Sequence, residues 1–254
     1  MQDLTKHDCQ TFVMDLAETM LSNGAEVYRV EETMAYVFKQ LTGHKGENFV
    51  TPTSIISTLS PELGHSTMMR RIRYRSIHFE KVSLANHISR QIAAGQLTLA
   101  QAQAQLATIQ AKPSQPLWSM VLVGGLATGS FSLMFGGQGA DHVASWLVGM
   151  VIQLTLAGLD HIRMSMFVRI IIGGGVTALS TLLLLAMGIG HSQEVILTAA
   201  IMLLVPGVAL TNAFRDILAS DYLSGVSRLF EALFIAVCIA FGVVSVLWGW
   251  ALWQ

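Results

Sequence analysis

Residues 203–222 read LLVPGVALTNAFRDILASDY, an apolar segment that is interrupted and then turns polar. Pro206 has no backbone N–H and its ring clashes with the preceding helical turn, and Gly207 weakens any helix that continues. The sequence therefore predicts a helix break at these two residues. The role of such a break depends on the polar residues that follow it, among them Asn212 and Asp216.

The composition around this stretch is typical of a membrane protein. Of the 254 residues, 52% are hydrophobic and 12% are charged, against roughly a quarter charged in soluble domains. Residues 1–112 hold 11 of the 15 Lys and Arg and 10 of the 16 Asp and Glu. A polar half therefore precedes an apolar half. A formal net charge of −1 gives no electrostatic footprint for nucleic acid.

Residues 1–112 predict a small α/β domain. Two amphipathic helices, each closed by a glycine, precede a Thr-, Ile- and Val-rich segment at 48–60 that is typical of a strand. Residues 66–75 can return as its partner strand. Two more helices follow, and the second begins with a capping-box pattern at Thr98 and Gln101.

The second half contains repeated apolar runs. A bilayer core about 30 Å thick needs about 20 helical residues, so four of the runs are long enough and the fourth in order is short. The runs are 117–135, 143–159, 170–190, 195–210 and 229–250. We therefore predict a mainly α polytopic membrane protein, in which residues 113–254 form five transmembrane helices after a small cytoplasmic α/β domain at 1–112.

The arginines of the apolar half predict its orientation. Arg163, Arg169, Arg215 and Arg228 all fall in connections on one side of the five-span arrangement, and the other connections contain no Lys or Arg. Because cytoplasmic loops carry the positive charge, the N-terminus is expected inside and the C-terminus outside. The first ten residues, MQDLTKHDCQ, lack the basic and apolar regions of a secretory signal.

The polar residues after the break form a candidate site. Interrupted helices at membrane depth need protein or water to satisfy the freed backbone groups, and in transporters such breaks commonly bind substrate. Asn212 and Asp216 are four residues apart and share a helix face, and Thr211 adjoins them. An amide can hold a polar substrate and a carboxylate can balance an ammonium or take a proton. The alternative is a solvated helix end at the cytoplasmic surface.

Glu231 is a second ionisable candidate. It follows Arg228 by three residues and enters the last apolar run, so it is either an ion-pair partner of Arg228 or a proton carrier. No pairing of a nucleophile with a base is recognisable, and Cys9 and Cys238 lie in different halves without zinc-ligand spacing. We therefore predict no enzymatic activity, no metal and no cofactor.

These residues resemble the threonine/serine exporter family, in particular its N-terminal type of domain. The likeness covers nearly the whole chain, and the most specific part is LVPG followed by Asn and Asp at this spacing. The family often has a glycine before the position of Asp221, where this chain has Ser220. The residues that carry the resemblance are NGAEVYRVEE at 23–32, TPTSIISTL at 51–59, LLVPG at 203–207, Asn212, Asp216, Gly225 and Arg228.

The resemblance implies a secondary exporter of threonine, serine or other small polar metabolites, small carboxylates included, coupled to the ion gradient of a bacterial cytoplasmic membrane. Family members are one long chain or two proteins, so a second small membrane subunit is the expected partner, and a homo-oligomer stays open. The alternative from another class is a membrane-anchored sensory or scaffold protein whose cytoplasmic domain binds a ligand or a protein.

Overall fold

The computed structural model describes residues 2–59, 66–113, 115–162 and 164–253, without the side chains of residues 2–5. The sequence predicts a turn at 61–64 between the two strand segments, and this turn and Arg163 lie outside the described residues. The described helices are α1 (Gln2–Ser22), α2 (Val27–Thr42), α3 (Phe79–Ala93), α4 (Leu99–Ala111), α5 (Leu117–Met134), α6 (Ala140–His161), α7 (Met166–Ala186), α8 (Gln193–Ile201), α9 (Gly207–Leu218) and α10 (Tyr222–Trp253). The strands are β1 (Glu47–Thr51), β2 (Ser54–Thr58) and β3 (Thr67–Arg71).

The chain forms two compact units. The first unit contains Met1–Pro113 together with Val208–Leu229, and the second contains Ser114–Gly207 together with Phe230–Gln254. Helix α9 and the first turns of α10 therefore belong with the N-terminal residues. The break at Pro206 and Gly207 lies where the chain passes from the second unit to the first.

Helices α1 and α2 of the first unit form a hairpin with a short connection. Gly24, at φ +100°, allows the chain to leave α1, because only glycine adopts that conformation without steric cost. Gly43, at φ +77°, ends α2, and its N–H donates to the Lys39 carbonyl at 2.9 Å. The two predicted glycine stops are confirmed.

The three strands form an antiparallel sheet in the order β1-β2-β3. The segment at 48–60 is a hairpin of two strands and not the single strand that the sequence suggested. Pro52 lies in the turn, since it has no N–H for a strand ladder, and Thr51 pairs with Ser54 across it. The last strand ends at Arg71, so the predicted strand at 66–75 is shorter than expected.

Helices α3 and α4 complete the first unit. The capping box at the start of α4 is confirmed, because the Gln101 N–H donates to Thr98 Oγ1 at 3.4 Å and the Thr98 N–H donates to Gln101 Oε1 at 3.0 Å. Apolar faces of α1, α2, α3 and α4 meet the sheet in one core. Phe12, Met20 and Phe38 are among its fully buried side chains.

Four described helices are long and apolar enough to cross a membrane, namely α5, α6, α7 and α10. The five-span count is not confirmed, because α8 has nine residues and the run at 195–210 continues as turns and then α9. The proline explains this early end: its ring excludes helix from the residues just before it. The Leu204 N–H donates to the Ile201 carbonyl at 2.8 Å in a tighter turn.

Glycines allow the helices of the second unit to pack closely. A Cβ at Gly149 would lie 2.1 Å from Thr128 Oγ1 and 2.9 Å from the Gly124 carbonyl, so α5 and α6 touch through backbone. In the same way α7 meets α10, since a Cβ at Gly242 would lie 2.1 Å from the Ile171 carbonyl. Small residues serve this purpose in membrane helices, where apolar burial gives little net attraction.

Helices α7 and α10 run in the same direction. The ring of Phe167, in the first turn of α7, lies 5.4 Å from the ring of Phe234 on α10, and farther along both helices a Cβ at Gly175 would lie 3.4 Å from a Val246 methyl. At the opposite end of α7, the Asp141 carboxylate accepts from the His191 N–H at 2.6 Å. The α5–α6 and α7–α8 connections therefore lie at the same end of the second unit.

We predict that Gly149→Ala destabilises the protein, because the added methyl forces α5 away from α6 at a cost of about 1–3 kcal/mol. Gly158→Ala on the same helix is the matched control, since nothing lies within 4 Å of a Cβ there. Thermal unfolding of the purified protein in detergent compares the two. Equal melting temperatures for both variants would contradict the close contact.

Candidate functional site

The polar hairpin, which we define as residues 208–229, presents one buried polar face within the first unit. Asn212 and Asp216 are 5% and 0% exposed, and they lie one turn apart on α9. Thr211 is exposed on the same helix. The two buried side chains contact the connection between α1 and α2.

Asp216 caps helix α2. Its Oδ1 accepts from the Val27 N–H at 3.1 Å, across 189 residues of sequence. The residue at the N-cap position, Glu26, makes no side-chain capping bond. A carboxylate at a helix N-terminus satisfies an orphan donor and complements the helix dipole, which together contribute about 1–2 kcal/mol. Asn212 adds a second bond, because its Nδ2 donates to the Gly24 carbonyl at 3.0 Å.

Arg228 completes the contact from the first turns of α10. Its Nε lies 3.2 Å from Asp216 Oδ2, and its Nη2 donates to the Ala25 carbonyl at 3.1 Å. The side chains of Arg228 and Asp216 are 7% and 0% exposed. Because desolvating two charges is costly, such a pair is sensitive to the loss of either partner.

A second, outer ion pair holds the same connection. Arg215 Nη1 donates to Glu26 Oε1 at 2.5 Å, and Arg29 Nη1 lies 3.6 Å from the other oxygen of that carboxylate. Burial raises the pKa of Glu26, but hydrogen bonding and the charges of the two arginines outweigh it, and the pKa of Glu26 lies below its usual value. Glu26 is therefore a compensated anion.

The turn between α9 and α10 brings the polar residues onto one face. Ser220 has φ +70°, in the left-handed region where a glycine would fit without strain. Asp221 Oδ1 then accepts from the Ser224 N–H at 3.3 Å and caps α10. A Cβ at Gly225 would lie 2.8 Å from the Ala213 carbonyl, so the two helices are in backbone contact.

Two carboxyl groups of the first unit, those of Asp216 and Glu31, have raised pKa values. Burial raises the pKa of Asp216, although Arg228 and the Val27 N–H oppose it. Burial also raises the pKa of Glu31, and the charges of Asp221 and Asp216 add to that rise. Glu31 Oε1 accepts from the Val50 N–H at 2.7 Å.

The other predicted site residues lie at the start of α9 and along α10. Pro206 lies directly before α9, and Gly207 is the first residue of that helix. Glu231 is half-buried on α10, three residues after Arg228, and belongs to the second unit. Arg228 forms the ion pair with Asp216 that is described above, and spacing along the sequence did not suggest this partner. In the described part of the chain, no group of three His, Cys, Asp or Glu side chains is arranged to hold a metal ion.

Sequence reasoning missed the residues between α1 and α2 that Asn212, Asp216 and Arg228 contact. Gly24, Ala25 and Val27 contribute backbone groups only, so their residue types give no chemical signal. The signal was the motif NGAEVYRVEE at 23–32, which the resemblance singled out beside LVPG, Asn212 and Asp216. The two motifs are distant in sequence and are in contact in the first unit.

The apolar helices define a multi-pass membrane protein, and the comparison with known families identifies its class as a membrane transporter. Residues 11–248 match the family described as "Putative threonine/serine exporter". Since the match covers most of the chain, the protein belongs to the threonine/serine exporter family.

Two relatives resemble the chain at lower identity. A "Probable threonine/serine exporter" of Mycobacterium tuberculosis is 24% identical over 97% of this chain, which spans 47% of that relative's length. A "Probable succinate transporter subunit YjjP" of Klebsiella aerogenes is 26% identical over 92% of both chains. No solved structure matches this chain.

We predict that Asp216→Asn and Arg228→Gln each destabilise the full chain by about 3–5 kcal/mol, because each leaves an uncompensated buried charge. The double variant removes both charges, so its loss of unfolding free energy should be much smaller than the sum of the losses in the two single variants. Chemical denaturation in detergent measures the three values. Additive losses would show that the two side chains do not interact.

Proposed function

We propose that this chain is a subunit of a secondary exporter for threonine, serine and similar small polar metabolites, small carboxylates included, driven by the proton-motive force. Its family membership supports the transport of such solutes. The name of the Klebsiella relative refers to succinate, which supports the inclusion of small carboxylates. The observation that carries proton coupling is the fully buried Asp216, ion-paired and yet raised in pKa.

A second small membrane protein is the proposed partner. The Mycobacterium relative is about twice as long as this chain, whereas the Klebsiella relative has a similar length and is called a subunit. This difference in length supports a family in which the same function belongs either to one long chain or to two shorter chains. A second copy of this chain is the competing partner.

The fourth apolar run is proposed to be an interrupted fifth crossing. The chain leaves α7 at the end of the second unit where Asp141 meets His191, and the part of α10 in that unit begins, at Phe230, near the end where Phe234 meets Phe167. The intervening chain must return along the bundle, and α8 covers only about 14 Å of that distance. Residues 202–206, which are not helical, supply part of the remainder, as in transporters with broken helices.

Five crossings place the two termini on opposite sides. With the positively charged connections inside, the N-terminal residues are proposed to lie in the cytoplasm of a bacterium and the C-terminus outside its inner membrane. Arg169, Arg215 and Arg228 are the described arginines of the second half, and all of them fall on the cytoplasmic side in this arrangement.

Coupling is proposed to proceed through release of the polar hairpin. Protonation of the carboxyl groups around Arg228 changes the charge that holds Asp216 to α2. Release would expose Asn212 and Asp216 beside the already exposed Thr211, where amide, hydroxyl and carboxylate can bind the ammonium and hydroxyl groups of an amino acid. Glu231 is the second candidate for carrying the proton.

We predict that Asp216→Asn abolishes efflux of labelled threonine and serine from vesicles that contain this chain and its partner subunit. Efflux is normalised to folded protein. Asp8→Asn is the matched control, because Asp8 is an exposed aspartate of the same unit. Vesicles that lack the partner should show no efflux with either chain.

The double variant Asp216→Asn/Arg228→Gln separates a structural role from a coupling role. It is expected to be more stable than Asp216→Asn and still inactive, because it has no ionisable group at this position. If efflux returned together with stability, Asp216 would be a structural residue and the coupling role would be wrong.

A groove in the first unit favours a second function, ligand sensing by the N-terminal domain. The groove has a volume of about 570 Å³ and is lined by Glu32, Thr33, Ala35, Tyr36, Lys39, Lys45 and Ser89. Its two ammonium groups exceed its one carboxylate, and with hydroxyl groups nearby they suit a small anionic ligand. Titration of succinate into the full chain and into a Lys39→Ala variant tests this. Binding that Lys39→Ala removes without lowering efflux would favour sensing.

A further inference from the structure

A basic segment, which we define as residues 71–79, connects strand β3 to helix α3. It reads RIRYRSIHF, and between Glu62 and Glu80 the chain has four arginines and no acidic residue. Residues 72–78 are neither helix nor strand. The proposed transport site makes no use of this segment, so its charge calls for another explanation.

Backbone hydrogen bonds hold the basic segment in place on the first unit. The Ile72 N–H donates at 2.8 Å to the turn between β1 and β2. The Ser76 N–H donates to the Ser22 carbonyl at 2.8 Å, and the His78 N–H donates to the Asn23 carbonyl at 3.1 Å. The segment is therefore a fixed surface, and a ligand that binds to it has little backbone to order.

The acidic groups next to the basic segment already have cationic partners. Arg70, directly before the segment, pairs with Asp15 and with Glu18, the latter at 2.8 Å. At the other end Glu80 pairs with Lys112. These carboxylates therefore do not neutralise the arginines of the segment itself.

Exposed arginines and exposed apolar side chains alternate along the segment. Arg71 and Arg73 are exposed, and within the described ranges they take part in none of the ion pairs. Tyr74, Ile77 and Phe79 are 81%, 61% and 57% exposed. Guanidinium groups beside exposed aromatic rings are typical of a membrane–water interface, where amphipathic rings lie at the level of the headgroups.

The basic segment lies close to the point where the chain enters its apolar helices. It is bonded to the connection between α1 and α2, to which Asn212 and Arg228 of the polar hairpin also bind. These two residues lie within four positions of the hairpin ends, Val208 and Leu229. Beyond Leu229 the chain continues in α10, which is long and apolar enough to cross a membrane. From this part of the first unit the chain reaches a bilayer within a few residues.

We propose that the basic segment is a docking surface for the headgroups of anionic phospholipids. Arginine binds phosphate oxygens in a bidentate manner, and an anionic membrane surface attracts basic residues that lie next to it. The rings and aliphatic groups of Tyr74, Ile77 and Phe79 then contact the interface between the headgroups. The proposal requires only that α10 lies in a bilayer, and it is independent of any transported solute.

Docking of the basic segment has a consequence for the polar hairpin. Because the segment is bonded to Ser22 and Asn23, a docked segment ties the connection between α1 and α2 to the membrane surface. That connection supplies the backbone groups that Asn212, Asp216 and Arg228 bind.

A spin label at Tyr74→Cys tests the proposal in the full chain, in nanodiscs of phosphatidylcholine with or without phosphatidylglycerol. Cys9 and Cys238 are buried, so the label reacts with the introduced cysteine. Phosphatidylglycerol should raise the accessibility of the label to oxygen and lower its accessibility to a water-soluble nickel complex, and high salt should reverse the change. His44→Cys is the matched control, because His44 is exposed beyond the far end of α2, about 24 Å along that helix.

Charge variants of the labelled chain identify what holds the segment. Arg71→Gln/Arg73→Gln should lower the ratio of shielded to accessible label by roughly 20-fold, since each arginine at an anionic surface contributes about fivefold. Arg71→Lys/Arg73→Lys should keep most of the shielding, because the attraction depends on charge. Lys6→Gln/Arg90→Gln removes two charges elsewhere on α1 and α3 and should leave the ratio unchanged.

A label at Tyr74→Cys that is equally accessible to nickel with and without phosphatidylglycerol would overturn the proposal. Shielding that is complete in phosphatidylcholine alone, or that survives in Arg71→Gln/Arg73→Gln, would also overturn it, because a protein surface or an apolar contact would then cover the segment. These readouts do not involve efflux, so they leave the proposed transport function to its own experiment.

Discussion

The buried contact between Asp216, Arg228 and the start of α2 is the interaction on which the first unit depends. One carboxylate both caps a helix and pairs with a guanidinium that also binds the Ala25 carbonyl. Residues 208–229 are attached to the N-terminal residues largely through these charged groups. Such contacts are strong when complete and costly when one member is missing.

The proposed proton coupling depends on the charged groups of this contact. An apolar contact would be indifferent to pH, whereas a contact that contains a carboxylate changes strength when that carboxylate titrates. Asp216 and the Val27 N–H bring together the NGAEVYRVEE motif and the polar residues after LVPG. The family's motifs therefore meet at a buried contact between charged groups.

The helices of the second unit are held together by a different kind of contact. Its helices are held by close approach of backbones at Gly124 and Gly149 and at Gly174 and Gly242, because lipid offers no hydrophobic gain for association. The break before α9 lies between the part of the chain that is held by close backbone contacts and the part that is held by charged groups. A proline placed there ends α8 early and allows the chain to begin a helix whose polar face is buried by protein.

The sequence by itself determined the membrane class, the polar first half, the glycine stops, the capping box of α4 and the family, because each depends on local pattern. It also singled out Asn212, Asp216 and Arg228 by type and spacing. Only the tertiary structure decided what they touch: their partners are the Gly24 and Ala25 carbonyls and the Val27 N–H. Backbone groups are the same in every residue, so no sequence pattern could reveal that Asp216 caps a helix 189 residues away.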